Sequence, residues 1–243
     1  MRKLLVMMVV GCMVLIGCTA ITFERKVEDN TFISMGSPNL QVQVSPEFRY
    51  IGQVSSSKHN QKVGGVRGLL VNYNSYLFAD IGDDNIIKRG VIIRVDKVGK
   101  SYWDADLFAE IKNKIVSDYF DINNERYEHV IAVRSDIFTQ DEIDYIIQEG
   151  LKNEKAVIRN KKLTYSGYSI PKCFIMEAFG IRSGAGYDTK LTICYYQDLS
   201  AIDESFTCRE MTKGDISAED QEKAKKTLME LRKKAITFIK YKN

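Results

Sequence analysis

The chain predicts an α+β fold: a mainly antiparallel sheet with about three helices packed on it. Three observations carry that expectation. Six runs rich in β-branched and aromatic residues are bounded by turn residues more often than they alternate with helices. Three other segments place apolar residues three or four apart behind capping residues. The composition is 44% hydrophobic and 28% charged, with 16 Gly and 3 Pro, which excludes disordered, collagen-like and low-complexity chains.

The strands are expected at Phe48–Val54, Leu69–Ala79, Gly90–Val98, Val130–Arg134, Cys173–Phe179 and Leu191–Tyr196. Val71-Asn72-Tyr73-Asn74 alternates apolar and polar side chains, as on a sheet with one wet face. Ser55–Gln61 is the most loop-like internal segment and is expected to join two strands, while the three glycines of Gly180–Asp188 mark a hairpin loop. The first helix is expected from Asp104 to about Asp118, with Leu107, Ile111 and Ile115 on one face. The second opens on the capping box Thr139-Gln140-Asp141-Glu142, continues through Ile143, Ile146 and Ile147, and stops at Gly150. The third opens at Ser217, with Asp220 in place of the usual Glu. It carries Ala224, Leu228, Leu231, Ala235 and Phe238 toward the C-terminus. Residues 31–243 are thus expected to form a single domain.

The N-terminus has a different character. Arg2 and Lys3 precede an apolar stretch of 13 residues, Leu4–Ile16, which together have the form of a secretory signal. The stretch ends Leu15-Ile16-Gly17-Cys18, and this resembles the lipobox of bacterial lipoproteins. The resemblance implies that the Cys18 sulfur receives a diacylglyceryl group and that the signal, residues 1–17, is cut between Gly17 and Cys18. Residues 18–30 then form a lipidated tether. Val9-Val10-Gly11-Cys12 also fits the tetrapeptide, but only seven apolar residues, Leu4–Val10, precede its glycine. Two other readings compete with lipidation. The uncharged run Leu4–Phe23 has the length of a retained membrane helix, and Cys18-Thr19-Ala20 approaches a plain secretory cleavage site. The resemblance places the protein in the cell envelope, anchored to a membrane through Cys18. Because Thr19 is not Asp, it favours the outer membrane facing the periplasm in a cell with two membranes. In a cell with one, the protein would lie on the outer face of the plasma membrane.

Charge argues against a nucleic-acid partner. Lys plus Arg is 35 and Asp plus Glu is 32, a net charge of +3. Loss of Arg2 and Lys3 with the signal leaves 33 against 32, or +1. Neither value supplies the concentrated basic face that nucleic acid demands.

Catalytic chemistry has few carriers. Only His59 and His129 are present, the first in the Ser/Asn/Gln loop and the second expected as a polar residue at a strand edge. No HExxH, GxSxG or P-loop pattern occurs. Once Cys12 leaves with the signal and Cys18 is acylated, Cys173, Cys194 and Cys208 remain. These predict one disulfide plus one buried thiol, with the pairing open. Asp80–Asn85 gathers oxygen ligands but lacks calcium-loop spacing. Gly180–Gly186 with Arg182 offers backbone N–H groups to an anion but lacks the dinucleotide fingerprint. Tyr165, Tyr168, Tyr187, Tyr195 and Tyr196 cluster around the second hairpin, where Tyr builds sheet faces or partner surfaces.

The expected function is that of a lipid-anchored envelope lipoprotein whose domain binds an envelope protein or a small ligand, or serves in envelope assembly. No catalytic residue, cofactor or metal is assigned. The alternative is an envelope hydrolase whose His59 or His129 lies within reach of a carboxylate and of a hydroxyl or thiol.

Overall fold

A computed structural model describes residues 25–63, 66–83, 86–99, 101–109, 111, 114–134, 156–159, 162–165, 168–169, 173–202 and 217–240. In chain order the strands are β1 (Arg25–Glu28), β2 (Thr31–Ser34), β3 (Leu40–Val44), β4 (Arg49–Val63), β5 (Val66–Ile81), β6 (Ile87–Val98), β7 (Lys114–Ile122) and β8 (Glu125–Arg134). They continue with β9 (Ala156–Arg159), β10 (Lys162–Tyr165), β11 (Tyr168–Ser169), β12 (Phe174–Ser183) and β13 (Thr189–Asp198). Helix α1 (Ala218–Ala235) and strand β14 (Ile236–Lys240) follow.

Seven strands form the main sheet in the order β4-β5-β6-β13-β12-β8-β7, and four form a smaller sheet, β1-β2-β3-β14. A third, three-stranded sheet runs β11-β10-β9. Every pairing among the described residues is antiparallel.

Alternation along the main sheet divides its side chains between two faces. One face presents Tyr76, Phe78, Val91, Ile93, Ile131, Ile175, Ile193 and Tyr195, and it is covered by Phe32, Leu40, Val42 and Val44 of the small sheet. Ala224, Leu228 and Ala235 of α1 join the same core. The other face presents Leu77, Ala79, Val130, Ala132, Met176, Ala178 and Tyr196, with Phe108, Leu107 and Ile111 packed against it. The fit is close enough that a Cβ at Gly180 would sit 3.0 Å from Leu107 and Phe108.

Several connections meet at one end of these sheets. The turn between β12 and β13 lies there, and its Gly184 N–H donates to Ser37 Oγ in the β2–β3 loop. Arg25, the start of β1, donates from Nη2 to the Ser37 carbonyl. Trp103 N–H donates to the Tyr187 carbonyl, which docks the segment after β6 on the same turn. The ribbon of β4 and β5 extends past β6, because Val71 is already opposite Val98 while the ribbon continues to the pair Val63–Val66.

The expected fold class needs correction. Among the described residues there is one α-helix, and the architecture is a mainly antiparallel β fold rather than a sheet with about three helices. The helix expected from Asp104 to Asp118 does not form. Leu107 and Phe108 instead pack on the sheet as part of a turn, and Lys114–Ile122 extends as β7. The residues themselves explain this, since Ile115, Val116, Tyr119 and Phe120 favour a pleated, half-buried surface. Asn123 and Asn124 then both take positive φ, 53° and 65°, and close a two-residue hairpin into β8. The helix expected over Thr139–Gly150 lies outside the described residues. The third helix is present from Ala218, with Ser217 Oγ accepting from the Asp220 N–H at 3.1 Å. It ends at Ala235, and Phe238 belongs to β14 instead, because Ile236-Thr237-Phe238 pairs with the open edge of β3.

Two further segments differ from expectation. Residues 25–28, assigned to the tether, pair with β2 through a two-residue turn at Asp29 and Asn30, again with positive φ. Ser55–Gln61 is not a loop but the second half of β4. Two of its side chains bond across the strand pair, with Ser55 Oγ 2.7 Å from Asn74 Oδ1 and Ser57 Oγ 2.6 Å from Asn72 Oδ1.

Candidate functional site

The face of the main sheet under α1 carries charge in its interior. On β8, His129 lies directly opposite Asp118 of β7 and Phe179 of β12. Glu177 is two residues before Phe179 and so points to the same face. From above, α1 contributes Arg232, which falls on its buried stripe between Leu228 and Ala235.

These four side chains form one connected cluster. His129 Nδ1 is 2.7 Å from Asp118 Oδ1, and Nε2 is 3.2 Å from Glu177 Oε1. Arg232 donates from Nε to Glu177 Oε2 at 3.1 Å and from Nη2 to Oε1 at 3.2 Å. Glu177, His129 and Arg232 are buried, whereas Asp118 stands at the solvent edge. The His129 ring stacks on Phe179 with centroids 5.0 Å apart, and Arg232 lies over the same phenyl ring at 5.1 Å.

The electrostatics follow from this geometry. Burial alone pushes the His129 imidazolium toward losing its proton, but the hydrogen bonds and charges of Glu177 and Asp118 outweigh it and hold its pKa above 6.5. Burial likewise opposes ionisation of Glu177. Hydrogen bonds from His129 and Arg232 outweigh that too, and the carboxyl is held below its usual 4.5. Two cations and two carboxylates then balance, so the cluster is neutral as a whole. Both ring nitrogens of His129 face carboxylates, Asp118 on one side and Glu177 on the other.

A second ionic group occupies the opposite face. Buried Asp96 lies 2.6 Å from Arg94 Nε and 3.4 Å from Lys190 Nζ. Arg94 stacks on Tyr73 at 4.4 Å and Lys190 on Trp103 at 4.4 Å, so both cations are also held by ring faces.

The structure separates the residues singled out in the sequence. Gly17, Cys18 and Cys208 lie outside the described residues. Cys173 is disulfide-bonded and Cys194 is a free thiol, so these two are not joined to each other. Burial pushes the Cys194 thiol up to about 12. His59 belongs to strand β4 rather than to a loop. His129 is not a strand-edge residue but the buried centre of the cluster. Of the tyrosines, Tyr195 and Tyr196 are core residues and Tyr187 is exposed; the side chains of Tyr165 and Tyr168 lie outside the description. In the Gly180–Gly186 loop the Gly184 N–H is taken by Ser37, and Arg182 stacks on Tyr187 at 4.8 Å. Asp80 accepts from Arg89 Nε at 2.8 Å, an ion pair in place of a cation loop.

Asp118, Glu177 and Arg232 were not singled out in the sequence, although two of them left a signal there. Glu177 is the one charge in the apolar run Phe174–Phe179, and Arg232 interrupts the apolar stripe of a helix. Among the described residues no His, Cys, Asp or Glu group is placed to hold a metal ion, and no helix is long and apolar enough to cross a membrane. No protein-family model, curated protein or solved structure matches the chain.

Proposed function

We propose that this protein is a lipid-anchored lipoprotein of the cell envelope whose β-rich domain binds another envelope component or a small ligand, or serves in envelope assembly. The observation that carries the anchor is the sequence Leu15-Ile16-Gly17-Cys18 behind a charged start and a 13-residue apolar stretch. Thr19 in place of Asp favours the outer membrane where there is one. A diacylated or triacylated Cys18 holds stably, whereas a single chain is marginal.

A binding role is supported by the way the strongest charge cluster is used. Asp118, His129, Glu177 and Arg232 satisfy one another and fasten a helix to a sheet, which is structural work. The hydrolase alternative asked for a histidine shared between a carboxylate and a hydroxyl or thiol. At His129 both nitrogens go to carboxylates.

The mass of the mature N-terminal peptide tests the anchor. An acylated Cys18 is expected, and an intact Met1 or a terminus at Ala20 or Ile21 overturns it. For the binding role, a pull-down from intact envelopes with Cys18→Ser as the control is expected to recover a specific component. Recovery of none, with turnover of envelope esters or peptides by the purified protein, would reverse the assignment in favour of an enzyme.

A further inference from the structure

We infer that the end of the domain where the chain enters is a lipid-facing surface, seated on the membrane that carries Cys18. This rests on the lipid-anchor reading above. Seven residues, 18–24, separate Cys18 from the start of β1 at Arg25. Fully extended, they reach at most about 25 Å. A folded chain of this size has a radius of gyration of about 17 Å and so spans roughly 45 Å. The tether is thus shorter than the domain is wide, and it holds the Arg25 end next to the bilayer.

That end has the surface such a position requires. Six large apolar side chains are exposed among the described residues: Met35, Val66, Leu70, Tyr102, Tyr119 and Tyr187. Five of them lie at the Arg25 end. Met35 is in the β2–β3 loop, whose Ser37 contacts both Arg25 and Gly184. Tyr187 is in the turn after Gly184, and Tyr102 precedes Trp103, which is hydrogen-bonded to the Tyr187 carbonyl. Val66 is at the tip of the β4–β5 ribbon, and the Leu70 carbonyl accepts from Gly99 just beyond β6. The sixth, Tyr119, lies on edge strand β7 beneath Arg126.

A basic side chain stands beside an exposed tyrosine at this end. Arg182 stacks on Tyr187, and Asp188 is 3.7 Å from Lys97. Tyr beside basic residues suits the headgroup layer, where an aromatic body meets acyl chains and its hydroxyl stays wet. Small apolar tips on a rigid sheet end add contact without insertion of a helix.

Trp103, the single tryptophan of the chain, reports on this end, since its Nε1 donates to the Asp188 carbonyl at 3.2 Å. The acylated full-length protein is reconstituted in phosphatidylethanolamine and phosphatidylglycerol vesicles, with and without a nitroxide on the lipid headgroup. A drop in Trp103 fluorescence of about twofold or more is expected with the nitroxide lipid, and most of it should be lost in Tyr102→Ser/Tyr187→Ser/Val66→Ser, where only the tether remains. With Cys18 shown by mass to be acylated, an unquenched Trp103 overturns the lipid-facing surface and leaves the anchor standing. Equal quenching in the triple variant also overturns it, because the tether alone would then set the position. An unacylated Cys18 removes both. If Trp103 is unquenched and the protein sediments as a dimer that the triple variant disperses, the surface joins two copies instead and the inference fails.

Discussion

Arg232 grips Glu177 through two guanidinium nitrogens, at 3.1 and 3.2 Å, and this pair fastens α1 to an interior strand of the seven-stranded sheet. Neither side chain is alone in its burial, since His129 donates to the same carboxylate from the other side. Removing one partner therefore strands a charge where water cannot reach it. Glu177→Gln or Arg232→Met is expected to lower unfolding stability by about 3–5 kcal/mol. Replacing the buried trio together, as Glu177→Leu/His129→Leu/Arg232→Met, is expected to cost far less, because no charge is left unpaired. Urea denaturation of the four proteins decides it, and a trio variant as unstable as the single variants would contradict this account.

The same cluster sets a pH dependence. The raised pKa of His129 gives stability that is fully present below about 6.5 and is lost as pH rises through the higher folded-state value. The lowered pKa of Glu177 gives stability that is present above about 4.5 and is lost as pH falls through its folded-state value. The stability difference between the native chain and the trio variant should accordingly be largest between about pH 4.5 and 6.5 and shrink on both sides. Denaturant midpoints across that range give the measurement; a difference that keeps growing above pH 8 would refute the assignment.

On the other face of the sheet, space rather than charge is limiting. Tyr196 lies opposite Gly90 in the register of β13 and β6, and a Cβ at Gly90 would strike its ring. Gly90→Ala is expected to cost about 1–3 kcal/mol in stability. The loss should be smaller in a Tyr196→Leu background, because the ring that is struck has gone. Additive losses in the double-mutant cycle would show that the two residues do not compete for one space.

The cysteines make separate predictions. Cys194 is a half-buried free thiol with a raised pKa, so it should be alkylated more slowly at pH 8 in the folded protein than once the chain is unfolded. Cys173 is disulfide-bonded, Cys194 is free, and the lipoprotein reading removes Cys12 and acylates Cys18. Cys208 is then the expected partner. Non-reducing peptide mapping should yield a Cys173–Cys208 pair, and its reduction should lower stability by about 3–4 kcal/mol for a loop of this length. Recovery of Cys208 as a free thiol would break that chain of reasoning.

How legible the fold was depended on how local each signal was. The six expected strands all lie within observed strands or overlap them, because β-branched and aromatic runs such as Val91-Ile92-Ile93 need no partner to be recognised. The strands that escaped notice are β1, β2, β3, β7, β9, β10, β11 and β14. Two of their hairpins are closed by Asp29-Asn30 and Asn123-Asn124, residues that tolerate positive φ and mark two-residue turns. In the segment 104–118, the four-residue spacing of Leu107, Ile111 and Ile115 mimicked a helix, while the local propensity for a strand was the stronger fact. β14 was illegible for a different reason. Ile236–Lys240 continues a helical stripe in sequence, and only the open edge of β3, nearly 200 residues earlier, makes it a strand. The charge cluster was half legible: a lone Glu177 in an apolar strand is visible, but its meeting with Arg232 is a product of topology.

The pairing of β14 with β3 also governs when the molecule can become itself. The small sheet begins with the first described residues of the chain and is closed by the last of them, since β14 pairs with β3 and β3 with β2. Contacts so distant in sequence form slowly and late, after the entropy of closing a long loop has been met. A nascent chain would therefore reach the end of its synthesis with its N-terminal strands still searching for a partner. Under the export that we propose for this chain, such delay is an advantage: the export machinery receives an extended substrate, and the finished domain appears only on the far side.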